Sequence, residues 1–191
     1  MDVDNPLSPA LINSYPHPGS TDILVQGNTL FTSGESGLVS ARLPFWNSIA
    51  IPLSGGSLTS AFDQTAYIFP SGSFTSTVTV EHSYRASFPG SAPGGRIGIG
   101  HGFEVSATLS NGASIQPTQP FTLTIQYEQS EVGAAIEDTL QLYHWAGSGW
   151  EVELTSEVNS AANTITANPD HLSVWAVFGE TRRLFLPVLL R

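Results

Sequence analysis

FTLTIQY, residues 121–127, places Phe121, Leu123, Ile125 and Tyr127 on one face of an extended chain and Thr122, Thr124 and Gln126 on the other. A period of two with β-branched and aromatic residues marks a half-buried strand. The same alternation recurs on both sides of it. In STVTVEHSY (76–84), Val78 and Val80 share a face with His82 and Tyr84; in TLQLYHW (139–145), Leu140, Leu142 and His144 oppose Gln141, Tyr143 and Trp145. Trp150, Val152 and Leu154 alternate with Glu151, Glu153 and Thr155.

Extending this reading predicts strands at 57–61, 65–69, 74–84, 96–99, 103–109, 121–127, 139–145, 150–153, 164–168 and 172–178. Turns are marked by Pro70-Ser71-Gly72, Pro93-Gly94-Gly95, Asn111-Gly112, Gly147-Ser148-Gly149, Asn159-Ser160 and Pro169-Asp170. Four short candidates precede them at 23–26, 29–32, 38–43 and 49–53. Strands every 8–15 residues define an all-β chain, an antiparallel β-sandwich. Only residues 131–139 offer a helical turn, weakened by Gly133. Residues 1–21, with four Pro, read as an arm or linker, 22–181 as the sandwich domain, and 182–191 as a short hydrophobic tail strand.

The 191 residues contain 41 Ser or Thr, no Cys, no Lys and only six Arg against sixteen acids. Arg182, Arg183 and Arg191 lie in the last ten residues, so residues 1–181 carry three Arg and all sixteen acids, a count of −13. Such a body repels nucleic acid and anionic lipid, and no apolar run approaches a membrane span. Without Cys there is no disulfide and no thiolate site. The Ser/Thr-rich, Lys-free composition favours a secreted or cell-surface protein, with Met1 read as standing in place of a removed leader.

The opening GGSLTSAFDQTAYIFPSGSFTSTVTV (55–80), then QPFTLTIQY, EDTLQLYHW and GWEVELTSEVNSAANTITANPDHLSVWAVFG (149–179), resemble the β-sandwich module of zonula-occludens proteins and netrin receptors, also found in ankyrins and in bacterial surface proteins. The resemblance spans about residues 56–178; Leu172 replaces the family's Phe in His-Phe-Ser, and 85–102 has no counterpart. It implies scaffolding and interaction rather than metabolic catalysis. It also implies a self-cleaving alternative. Some members cut themselves at His-Phe-Ser, which makes Ser173 the nucleophile, His171 the base and Leu172–Ser173 the bond cut; the plainer reading has these residues opening a strand.

The five His (17, 82, 101, 144, 171) show no metal-ligand spacing, and no metal or cofactor is expected. Asp2 and Asp4 offer a fragment of a calcium loop without its glycine turn or distal Glu. Glu151 and Glu153 are the carboxylate pair that glycoside hydrolysis uses, but their alternation is that of a strand's solvent face. GGRIGIGHG (94–102) lacks the helix that a phosphate cradle needs and reads as a strand or loop allowing close backbone approach. Tyr143, Trp145 and Trp150 form a candidate sugar-stacking platform for polysaccharide, against a packed aromatic cluster. Finally, Leu184, Phe185, Leu186, Val188, Leu189 and Leu190 make six apolar residues in seven and require cover. They pair within their own sheet, add as a strand to a second copy, or lie against a membrane or envelope that seven residues cannot span. The leading expectation is therefore a non-catalytic surface or filament subunit that assembles with copies of itself through its terminal segments.

Overall fold

The structure, a computed structural model, describes residues 20–26, 29–34, 37–42, 46–85 and 87–181. Residues 1–19 of the expected arm and the whole expected tail strand, with Leu184, Phe185, Leu186, Val188, Leu189 and Leu190, lie outside the described residues. The first three strands, β1 (Ser20–Gln26), β2 (Thr29–Gly34) and β3 (Gly37–Arg42), form an antiparallel meander of their own.

The remaining strands make two open antiparallel sheets, the sandwich that the alternation predicts. They are β4 (Trp46–Ile51), β5 (Gly56–Thr59), β6 (Ala66–Phe69), β7 (Val78–Tyr84), β8 (Arg96–Thr108), β9 (Thr122–Gln126), β10 (Gln141–Trp145), β11 (Trp150–Val152), β12 (Glu157–Asn159), β13 (Thr164–Ala167) and β14 (Val174–Glu180). One sheet runs β11-β10-β14-β8-β7-β4 and the other β12-β13-β9-β6-β5. Between β9 and β10 lie a single helical turn, α1 (Gln129–Val132), and a 3-10 turn at Glu137–Thr139.

Alternation builds the core. Leu123, Ile125 and Ile165 from one sheet meet Val78, Val80, Phe103, Val105 and Trp175 from the other, all buried in a single cluster. Burying a side chain of this kind stabilises by roughly 1.5–3 kcal/mol. Phe69, Phe74, Tyr67 and Phe121 add stacked and tilted ring contacts at 4.9–6.3 Å.

Four expectations need correction. The segments 96–99 and 103–109 are one long strand, because the glycines between them continue the ladder through a bulge instead of ending it. Phe74 is buried before β7 begins, in a bend rather than a strand. The hairpin strand β12 (Glu157–Asn159), with only Val158 partly buried, gave no period to read. The alternation from Trp150 stops at Val152: Leu154 is 89% exposed while Glu153 is buried, because its carboxylate accepts bonds from the Thr155 amide and hydroxyl in a tight turn.

Candidate functional site

Asp63, His82 and Tyr67 form a buried polar line between the sheets. His82 follows Val78 and Val80 on the inward face of β7 and is fully buried. Its Nδ1 lies 2.6 Å from the Tyr67 hydroxyl on β6, and its Nε2 lies 3.2 Å from Asp63 Oδ2. Its ring stacks on Phe103 at 5.2 Å. The turn after β5 delivers Asp63. Ser60 Oγ accepts from the amides of Phe62 and Asp63, Asp63 Oδ1 accepts from the Thr65 amide, and Gln64 takes a left-handed φ of 57°. Burial works to raise the Asp63 carboxyl. The hydrogen bond and charge of His82, with Ser60 and Thr65, outweigh it and hold the carboxyl well below the usual carboxylate range. Burial, with the Asp63 charge, pushes the Tyr67 hydroxyl well up, so it stays protonated. The line bridges the two sheets, and its hydroxyl end has no exposure.

Its carboxylate end opens into a cleft of about 680 Å³. The bulge in β8 shapes one wall. Between Ala176↔Gly102 and Phe178↔Gly98, β14 spends only Val177 where β8 spends Ile99, Gly100 and His101. Gly100 takes a φ of 88°, as such a bulge requires. The bulge brings His101 to the cleft wall with its side chain 5% exposed. His101 Nε2 lies 3.1 Å from Glu131 Oε2 on α1. Burial favours raising the Glu131 carboxyl, but the His101 hydrogen bond and the Glu128 amide hold it below its ordinary value. Phe62 and Tyr84, rings tilted 4.7 Å apart, Gln64, Gln126 and Glu128 complete the lining.

The structure distributes the residues singled out in the sequence as follows. His171 Nδ1 lies 3.0 Å from Asp170, while Ser173 Oγ donates over 3.4 Å to the Trp145 carbonyl, so the expected base and nucleophile point to different partners. Leu172 between them is clamped: its amide donates to Gln116 Oε1 at 2.6 Å and its carbonyl accepts from Gln116 Nε2 at 3.3 Å. Among the described residues, left-handed φ values outside glycine occur only at Gln64 and Asn163, so the Leu172–Ser173 bond carries no strain of that kind.

Tyr143, Trp145 and Trp150 do come together, but not as an open platform. Tyr143 is 4% exposed, and with Ala176 and Phe178 it forms a second apolar cluster on the outer face of the six-stranded sheet. Phe88 packs edge-on against Trp150 and Phe178, and Trp150 Nε1 donates to the Gly90 carbonyl, so residues 87–92 lie over the trio. The glycine-rich segment makes this cover possible: a Cβ on Gly102 would sit 2.1 Å from the Phe88 ring.

His144 and His171, which sequence spacing did not connect, meet edge to face at 4.5 Å beside Trp175. Glu151 lies 3.8 Å from His144, apart from the buried Glu153. Among the described residues, no group of three or more His, Asp or Glu is arranged to hold a metal, and no helix is long and apolar enough to cross a membrane.

The cleft residues were missed by the sequence reading, though a signal existed. His82 sits on an apolar face, where a polar side chain needs a partner from another element. The FDQT turn (62–65) was legible as an acidic turn but not as that partner. Comparison with known proteins adds no identity: no protein-family model and no curated protein matches this chain.

Proposed function

We propose that this chain is a secreted or cell-surface β-sandwich subunit that assembles with copies of itself by strand addition, using the apolar residues 184–190 as the donated strand. One observation carries the reading: among the described residues, the six-stranded sheet ends on β4, six residues long, with Ser48, Ile49 and Ala50 all exposed. An open edge of that length offers unpaired backbone groups to an incoming strand. The chain itself contains a matching donor, six apolar residues in seven. The resemblance to scaffolding modules of surface proteins, the lack of Lys and the Ser/Thr-rich composition support the same reading.

Sedimentation of the full chain tests it. Wild type is expected as dimers or longer species. Leu186→Asp/Leu189→Asp in the donor, and Ile49→Lys at the edge, are each expected to give monomers with an unchanged circular-dichroism spectrum. A wild-type monomer at the highest soluble concentration would remove the proposal.

A further inference from the structure

Carboxylates dominate the polar lining of the cleft. Asp63, Glu128 and Glu131 supply carboxylates, Gln64 and Gln126 supply amides, and none of the described lining residues is Arg. His101 completes the pattern. Its Nε2 lies against the Glu131 carboxylate; in the neutral ring that donates from Nε2, Nδ1 is the acceptor. That Nδ1 is buried without a partner, on a side chain 5% exposed. A donor-bearing ligand supplies the partner that a buried acceptor otherwise lacks. Phe62 and Tyr84 add two aromatic rings to the same wall, and a cation near a ring face gains further.

We propose that this cleft is a binding site for a guanidinium cation, the side chain of an arginine. The planar fork of five N–H donors matches a set of carboxylates better than a compact ammonium does, and its flat face suits the Phe62–Tyr84 wall. Two sources share this chemistry. One is the chain itself: three of its six Arg stand at 182, 183 and 191, and the last described residue, Thr181, is bridged to Ala135, four residues beyond Glu131. The other is an arginine of another molecule. The site does not depend on assembly, because a monomer carries the whole of it.

Calorimetric titration of the full chain with argininamide at low ionic strength tests the proposal, run on wild type and on Arg182→Gln/Arg183→Gln. The arginine-depleted chain is expected to bind argininamide and to leave the neutral isostere citrullinamide unbound. Adding Glu128→Gln/Glu131→Gln should weaken binding about tenfold or more, the scale of one lost charge-assisted hydrogen bond. Because Glu131 also holds the α1 turn, Glu128→Gln alone and Gln126→Arg, which places a competing guanidinium at the rim, repeat the test in chains with an unaltered melting temperature. Weaker binding by wild type than by the depleted chain assigns the site to the chain's own arginines. Equal binding supports the site and assigns it to another molecule. Absence of binding in both chains, equal binding of citrullinamide, or unchanged affinity in the Glu and Gln126 variants overturns the proposal.

Discussion

The six-stranded sheet is apolar on both faces, yet the two faces are buried in different ways. Its inner face packs against a second sheet, strand on strand, through Val78, Val80, Phe103, Val105 and Trp175. Its outer face buries Tyr143, Ala176 and Phe178 beneath side chains from residues 87–92. The inner face is held by many elements together and the outer one by a single connection, so the two should differ in stability and in independence.

Substitutions at matched aromatic positions test that difference most strongly. Phe103→Ala on the inner face should destabilise the chain by about 3–5 kcal/mol in urea unfolding. Gly102→Val, which drives a side chain into the Phe88 ring, should cost about 1–3 kcal/mol. Phe88→Ala, which uncovers only the outer face, should cost about 1–2 kcal/mol, because Phe88 is half-buried. Equal losses for Phe103→Ala and Phe88→Ala would erase the contrast.

Acid gives a smaller and graded effect. Burial, then the neighbouring His171, lowers the His144 pKa from 6.5, so the unfolded chain binds a proton there more readily than the folded one. The stability from keeping His144 neutral is present above about pH 6.5 and declines as pH falls through its lowered value. Asp63, held well below the carboxylate range, loses its contribution only in stronger acid, as pH falls below its ordinary value of 3.8 toward the folded one. Thermal melts of wild type and His144→Gln from pH 7.5 to 5.0 should converge as the pH drops; parallel curves would contradict the assignment.

The inner face was legible in the sequence because a period of two is a local signal. FTLTIQY and STVTVEHSY declare their buried sides without reference to any other segment. The outer face was not. Tyr143 lies opposite Leu142 on its strand, so alternation alone assigns it to solvent; it is buried in a cluster with Ala176 and Phe178, against which Phe88, from a stretch without periodicity, packs. The cleft was hidden for a related reason. His101 reaches its wall only because Ile99, Gly100 and His101 form a bulge, and a run of glycines announces close approach without naming what approaches.

The indoles of Trp145 and Trp150 are locked at a 70° interplanar angle with centroids 5.5 Å apart. Two such chromophores, held close in one handed arrangement, couple their transitions and give a paired positive and negative band in the ultraviolet. The Gly90 carbonyl that accepts from Trp150 helps to fix that arrangement. Near-ultraviolet circular dichroism is therefore expected to report, without any attached label, on how the β10–β11 hairpin holds this indole pair.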